Sequence, residues 1–269
     1  MIVVSVNSQP DRGVKMKKLG VGFEGLEDRT LLAGNVTAAL VGDTLFIVGN
    51  VTDNNIQLGH NGGTGEIQVD VYDNNETLTV IGGSTIDSNT GTFSGVNNIV
   101  VRGGAGDDFV RINRVDINGN LLVNGGIGDD EVFLAGGEGN SGIGGSAIIY
   151  GDSGDDFINV DNIDIGGIFK VFGGLGSDGI EVDGNYVGSS AGIYGGAGND
   201  SICFENNYTE GIVLVAGGLG RDEAYFGGNL QGGSRALGEP SYLGSNWTGA
   251  GYIVNSIETQ LEFCPFDTV

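Results

Sequence analysis

Six aspartates at a regular spacing are the residues of this sequence best suited to chemistry. Each one closes a glycine-rich block such as Gly103-Gly-Ala-Gly-Asp-Asp108, and the blocks recur with a period of about 22 residues, lengthened once by a glycine-rich insertion near 136–142. The six residues at the sixth position of the block are Asp108, Asp130, Asp156, Asp178, Asp200 and Asp222. The residues at the fifth position are Asp107, Asp129, Asp155, Ser177, Asn199 and Arg221. If the repeat stacks these carboxylates, they repel one another unless a cation or a hydrogen-bond donor offsets their charge.

Calcium is the cation that this residue pattern favours, because it takes six to eight oxygen ligands from carboxylates and backbone carbonyls. We therefore expect the metal ligands to be Asp107, Asp108, Asp129, Asp130, Asp155, Asp156, Asp178, Asn199, Asp200 and Asp222. Sites between the first three blocks should bind best, and the interval bordered by Arg221 should bind worst. The alternative is that each aspartate only accepts hydrogen bonds from the backbone of its own turn.

Apolar residues recur behind every block and define the elements that position it. The eighth and tenth positions of the repeat are Val110/Ile112, Val132/Leu134, Ile158/Val160, Ile180/Val182, Ile202/Phe204 and Ala224/Phe226. Further apolar pairs recur at Val115/Ile117 and Ile163/Ile165, and at Leu121/Val123 and Phe169/Val171. Alternation with a period of two indicates strands with one buried face, so each unit contains about three short strands.

These units predict an all-β chain that folds as a right-handed parallel β-helix, a solenoid with about 22 residues per coil and roughly nine coils. We expect a β-helix over residues 35–234, with irregular coils over 35–102 and regular repeats over 103–234. Residues 235–269 should form a C-terminal cap, and residues 1–34 a targeting segment or a disordered tail. A β-sandwich with glycine-rich turns is the alternative, but a sandwich has no reason to keep so regular a period.

The repeat resembles a known family of secreted bacterial proteins. Gly103-Gly-Ala-Gly-Asp-Asp-Phe-Val-Arg111 and Gly195-Gly-Ala-Gly-Asn-Asp-Ser-Ile-Cys203 match the nonapeptide of the hemolysin-type (RTX) calcium-binding repeat. The resemblance covers roughly residues 103–226 and implies calcium bound between stacked turns, with folding on export. The family usually runs its nonapeptides in tandem, whereas here one occurs per coil, so only one edge of the helix could carry metal.

The N-terminal segment carries a second resemblance. Residues Phe23-Glu-Gly-Leu-Glu-Asp-Arg-Thr-Leu-Leu-Ala33 are similar to the LEPR/LEDR-x-LL segment found on exported or surface proteins of planctomycete-type bacteria. This implies a secreted or cell-surface protein and suggests Met16 as the true start. The alternative is a mobile basic tail without a targeting role.

Composition narrows the classes of partner. The formal net charge is −24, which disfavours nucleic acid and anionic lipid and favours cations. No apolar run is long enough to insert into a membrane. Cys203 and Cys264 are the only cysteines, and they could form one disulfide or remain two free thiols.

We expect a non-catalytic protein with a structural or adhesive role at the cell surface, with extracellular glycans or other envelope proteins as partners. The alternative is a carbohydrate-active β-helix enzyme, a polysaccharide lyase or hydrolase. The outward column between the two buried positions reads Arg111, Phe133, Asn159, Glu181, Cys203 and Tyr225, which contains no pair of carboxylates for glycoside hydrolysis. The single histidine, His60, is expected to be a loop residue.

Overall fold

The computed structural model describes residues 35–60, 65–72, 77–137, 142–231, 246–249, 252–255, 259–260 and 264. These residues form strands and turns without a helix, which confirms the all-β prediction. They all belong to one compact unit, Ala33–Val269. The targeting segment expected over residues 1–34 lies outside the described residues. Within the described part of the chain, no helix has the length and apolarity needed to cross a bilayer.

Seven strands precede the regular repeats. They are β1 (Asn35–Val41), β2 (Thr44–Val48), β3 (Asn55–His60), β4 (Glu66–Val71), β5 (Thr77–Ile81), β6 (Ser84–Thr85) and β7 (Thr90–Ser94). β1 and β2 form an antiparallel pair, and β3, β4 and β7 pair antiparallel in turn. β6 pairs antiparallel with β7, and β5 lies parallel to β1.

Seventeen strands follow, in coils that each supply up to three strands. They are β8 (Asn98–Ala105), β9 (Phe109–Asn113), β10 (Leu121–Ile127), β11 (Glu131–Ala135), β12 (Gly142–Ile143), β13 (Ala147–Ser153), β14 (Phe157–Asp161), β15 (Asp164–Ile165), β16 (Phe169–Leu175), β17 (Gly179–Asp183), β18 (Tyr186–Val187), β19 (Ala191–Ala197), β20 (Ser201–Glu205), β21 (Tyr208–Thr209), β22 (Val213–Leu219), β23 (Glu223–Gly227) and β24 (Leu230–Gln231).

Equivalent strands of successive coils pair in parallel and form three sheets. The first sheet contains β8, β10, β13, β16, β19 and β22, and the second contains β9, β11, β14, β17, β20 and β23. The third contains β12, β15, β18, β21 and β24. Neighbouring strands of these three sheets are offset by 22 residues, except that β10 pairs with β13 and β11 with β14 at an offset of 26 residues, as in Val132 with Ile158. The expected parallel solenoid and its coil length are thereby confirmed.

The number of coils is smaller than expected. Six coils run from β8 to β24, instead of roughly nine over the whole helix. Among the described residues between 35 and 97, only β2 and β3 align in parallel with the repeats, on β8 and β9. Several of the strands expected to form irregular coils, among them β4 and β7, instead pair antiparallel beside this partial coil, because alternation alone does not distinguish a parallel from an antiparallel strand.

Three strands lie beyond the repeats: β25 (Asn246–Gly249), β26 (Tyr252–Asn255) and β27 (Thr259–Gln260). β26 pairs in parallel with β22, and β27 pairs in parallel with β23. β25 lies antiparallel to β26. Most of the segment 235–269, which was expected to form the cap, lies outside the described residues.

The core is the interior of the coil, filled by the inward column of each sheet. All twelve residues of the eighth and tenth repeat positions are buried, as their alternation predicted. The pairs Val115/Ile117, Ile163/Ile165, Leu121/Val123 and Phe169/Val171 are buried as well, which confirms three inward-facing segments per coil. Burying an aliphatic side chain of this size contributes about 1.5–3 kcal/mol.

Cys203 lies on the outward side of β20, between the inward Ile202 and Phe204, yet it is fully buried. It forms a disulfide with Cys264, which is also buried. Of the two cysteine states that the sequence left open, the structure has the bridged one, which ties the end of the chain to the fifth regular coil.

Candidate functional site

The glycine–aspartate blocks stack at one corner of the solenoid, between the first and the second sheet. The second glycine of the first block, Gly104, pairs with Gly126, and this register continues through Asp152, Gly174, Gly196 and Gly218. The corner therefore aligns the fifth and sixth block positions in two separate columns, as the repeat predicted.

A seventh turn, Gly49–Asn54, precedes the six blocks at this corner. The amide of Asn54 donates a hydrogen bond to Oδ1 of Asp108 over 2.7 Å, and the amide of Asp107 donates to Oδ1 of Asp53 over 2.9 Å. Sequence reasoning missed this turn because 54 residues separate it from the first block and only its first glycine and Asp53 match the motif. The signal available in the sequence was Asp53, which occupies the fifth block position counted from Gly49.

The sixth-position aspartates point inward and bind the backbone of the preceding coil. Asp130 Oδ1 accepts the amide of Asp108 over 2.8 Å, and Asp156 Oδ1 accepts the amide of Asp130 over 2.8 Å. The same bond recurs at Asp178, Asp200 and Asp222, at 2.9–3.0 Å. One carboxylate oxygen of each residue is thus a backbone cap, but the amide that it binds belongs to the preceding coil and not to the aspartate's own turn, as the second interpretation of the motif had it.

The other carboxylate oxygen is buried beside a backbone acceptor. Oδ2 of Asp130, Asp156, Asp178 and Asp200 is shielded from solvent and has no hydrogen-bond partner. A Cβ at Gly151 would collide with Asp156 Oδ2 and with the carbonyl oxygen of Gly173 in the next coil. These two acceptors therefore face the same small space, which explains why the first position of the block is glycine.

Burial raises the pKa of these carboxyls. Desolvation raises the pKa of Asp130 and Asp156 to about 7 and that of Asp178 and Asp200 to about 6. The amide that each Oδ1 accepts lowers the pKa, and the neighbouring aspartates raise it again. The column thus favours a proton or another cation near Oδ2.

A ladder of asparagines at the corner before the third sheet has the same geometry, but both polar atoms of each side chain form hydrogen bonds. Oδ1 of Asn207 accepts the amide of Asn185 in the preceding coil, as the aspartates do. Its Nδ2, however, donates to the carbonyl oxygen of Val182 over 2.8 Å. Asn185 and Asn229 make the equivalent bonds to Val160 and Phe204. The aspartate column has oxygen where this ladder has a donor.

The fifth-position residues are exposed and bind the backbone in the opposite direction. Asp107 Oδ1 accepts the amide of Asp129 over 3.0 Å, and Asp129 Oδ1 accepts that of Asp155 over 2.8 Å. Asp155, Ser177 and Asn199 repeat this bond toward the following coil. Arg221 ends the series, so the exposed carboxylates lie on the first coils only.

The corner offers oxygen atoms of the kind that calcium takes as ligands, because Oδ2 of Asp156 lacks a hydrogen-bond donor and faces a glycine carbonyl oxygen. Among the described residues, no three His, Cys, Asp or Glu side chains form a group that could hold a metal. A cation here would consequently rely on carboxylates from neighbouring coils together with backbone carbonyl oxygens.

The outer face of the second sheet contains carboxylates that sequence reasoning missed. The expected outward column from Arg111 to Tyr225 is in register, and Asn159 donates a hydrogen bond to Glu181 over 2.8 Å. The next outward column, two residues along each strand, pairs Asp161 with Asp183 and Asp183 with Glu205. The signal in the sequence is the eleventh repeat position, which is occupied by Asp161, Asp183 and Glu205.

His60 lies at the end of β3, where its Nδ1 is 3.1 Å from the carbonyl oxygen of Glu66.

No family model, no curated protein and no solved structure matches this chain.

Proposed function

We propose that this chain is a non-catalytic, exported calcium-binding repeat protein with a structural or adhesive role at the cell surface. The observation that supports this most strongly is the column of buried Oδ2 atoms without a hydrogen-bond donor at Asp130, Asp156, Asp178 and Asp200. Those of Asp156, Asp178 and Asp200 lie beside a glycine carbonyl oxygen of the next coil. Calcium supplies the positive charge that such an all-oxygen environment lacks. The similarity of the blocks to hemolysin-type repeats supports the same ion.

The ligands proposed are the sixth-position aspartates, their glycine carbonyls and the fifth-position side chains. Asp107, Asp129 and Asp155 add exposed carboxylates to the first coils, whereas Asn199 adds an amide and Arg221 a positive charge near the last ones. Affinity should therefore decrease from the first blocks to the last. Bound calcium would stabilise the folded chain, because an ion that binds only the native state adds to its stability.

The disulfide supports export. Cys203 and Cys264 are bridged, and such bonds persist mainly in oxidising surroundings outside the cytosol. The cell surface is also where millimolar calcium would meet the column.

Calcium titration of the intact protein, followed by calorimetry and by the unfolding temperature, tests the proposal. We expect saturable binding and a higher unfolding temperature at millimolar calcium, with a smaller response to magnesium. Asp156→Asn should remove part of the bound calcium, because it replaces a central anionic oxygen by a donor. Asp164→Asn is the matched control, since Asp164 is an exposed acid on the third sheet away from the corner. No heat and no stabilisation at millimolar calcium would overturn the proposal.

A second candidate, a carbohydrate-active enzyme, has one observation in its favour. Asp161, Asp183 and Glu205 are adjacent on the outer face of the second sheet, beside Glu181. Paired carboxylates on neighbouring coils are the groups that glycoside hydrolysis uses. Release of products from an acidic polysaccharide, lost in Asp183→Asn, would identify this function.

A further inference from the structure

The third position of the block forms a stripe of solvent-facing side chains along the glycine corner. In chain order the stripe consists of Val51, Ala105, Ile127, Ser153, Leu175, Ala197 and Leu219. Large apolar residues and small residues alternate strictly. The four large side chains, Val51, Ile127, Leu175 and Leu219, are 61–75% exposed. Because coils lie about 4.8 Å apart, the large side chains recur about every 10 Å.

The fifth-position residues run beside this stripe and give it a charge gradient. Asp53, Asp107, Asp129 and Asp155 occupy the first four corners, followed by Ser177, Asn199 and Arg221. All seven are exposed. One end of the edge is therefore acidic and the other end is neutral to basic.

We infer that this edge, the third and fifth block positions over Val51–Arg221, binds the same edge of a second copy in antiparallel orientation. One register satisfies both patterns. It places Leu219 over Ala105, Ile127 over Ala197 and Leu175 over Ser153, so these three large side chains each meet a small one, while Val51 lies beyond the contact. The same register places Arg221 opposite Asp107, Asn199 opposite Asp129 and Ser177 opposite Asp155.

Other registers of two copies fit less well. A parallel arrangement shifted by one coil also places large side chains over small ones, but it puts the fifth-position columns of the two copies on opposite sides of the stripe, so Arg221 meets no aspartate. The antiparallel register shifted by two coils toward the N-terminal end sets Asp129 against Asp155, whose like charges repel, and the opposite shift leaves fewer corners in contact. A twofold axis is the usual symmetry of soluble homodimers, and the preferred register has one between the coils of Ser153 and Leu175.

The contact is small. The six corners in contact span about 24 Å and the stripe is one side chain wide, so the buried area is well below the ~800 Å² per partner of a tight complex. We expect a weak, reversible dimer that depends on protein concentration and on salt. Its formation does not require calcium, so it can be tested separately from the proposed function.

Sedimentation velocity of the intact protein in a chelator, over a range of concentrations, should show a monomer–dimer equilibrium. Leu175→Arg should weaken dimerisation at least tenfold. Ile212→Arg should leave it unchanged, because Ile212 is 55% exposed but lies at a different corner. Circular dichroism of both variants establishes that they fold.

Cross-linking distinguishes the orientations. A short thiol cross-linker should join chains that carry Ala105→Cys and Leu219→Cys together, since these positions face one another in the antiparallel register. Ala105→Cys alone should give little product. A monomer at every concentration, or equal cross-linking of Ala105→Cys alone, would overturn the inference.

Discussion

A buried aspartate whose second carboxylate oxygen faces a carbonyl oxygen is less stable than an asparagine in the same position, because the asparagine donates a hydrogen bond there. The asparagines at the third-sheet corner satisfy both atoms of the side chain, whereas Asp156 satisfies only Oδ1. A buried acceptor without a donor costs about 1–3 kcal/mol. Protonation removes this cost by supplying the donor, and a bound cation removes it by supplying charge.

In the absence of metal, the protein should become less stable as the pH rises. The pKa of Asp130 and Asp156 is raised from 3.8 to about 7, and that of Asp178 and Asp200 to about 6. The folded state thus binds protons more tightly than the unfolded state. This stabilisation is complete below about pH 4 and is lost as the pH rises through 6–7. Scanning calorimetry in a chelator should show the unfolding temperature falling between about pH 5 and pH 8.

Asp156→Asn refines this test. The variant keeps the Oδ1 acceptor and adds a donor beside the carbonyl oxygen, so it should unfold at a higher temperature than the wild type at about pH 8. Asp155→Asn, an exposed neighbour in the same coil, controls for the loss of one charge. A lower unfolding temperature of Asp156→Asn at that pH would contradict the account of the buried oxygen.

The position of these aspartates was predictable from sequence, but their bonding was not. The spacing of Asp108 and its equivalents predicted one column at one corner, and the register confirms it. The same motif is compatible with a metal ligand and with a backbone cap. That Oδ1 binds the preceding coil and that Oδ2 is buried follows from the orientation of the side chain, which the spacing of residues in the sequence does not determine.

The glycine turn is the element that determines how closely coils can stack. Gly174 has a φ of +132°, and a Cβ there would collide with the carbonyl oxygen of Asp152 in the preceding coil. At Gly174 both the backbone conformation and the contact exclude a side chain, whereas Asp152, at the same repeat position of the preceding coil, carries one at a φ of +82°.

Gly174→Ala should accordingly destabilise the solenoid by several times the ~1 kcal/mol typical of a point mutation. Gly59→Ala is the matched control, because a Cβ on β3 would make only an ordinary contact, 3.5 Å from the carbonyl oxygen of Asn113. Denaturant unfolding of the two variants measures the difference. Equal stabilities would show that the corner can relax to accept a side chain.

The strands before Asn98 mark the limit of sequence reasoning at this scale. The regular repeat period identified the coils from β8 onward, but β4, β6 and β7 pair antiparallel with neighbours close in sequence. Their alternating residues resemble those of the coils. Because β4 to β7 separate the turn at Gly49 from its partner at Gly103, the period is lost there.

At the scale of the whole molecule, one disulfide joins the C-terminal part of the chain to the coils and contributes to their stability. The Cys203–Cys264 disulfide closes a loop with a sequence separation of 61 residues. Chain-entropy arguments give about 4 kcal/mol for a loop of this length, as an upper value.

Replacing both cysteines by serine should lower the free energy of unfolding by up to that amount and loosen β26 and β27 first. Hydrogen exchange should show faster exchange in these two strands than in β16, which lies between regular coils. Unchanged protection of β26 and β27 would show that pairing with β22 and β23 suffices to hold them.

The insertion between β11 and β12 has a further consequence. Ala135 pairs with Asn113 at the usual spacing, and Ile143 then pairs with Ile165, so the offset is absorbed between Ala135 and Gly142. Alignment of the coils is restored by the corners and strands on either side, not by constant chain length. This place is therefore permissive: a longer peptide, such as an epitope or a recognition loop, could be grafted there while every column on both sides keeps its partners.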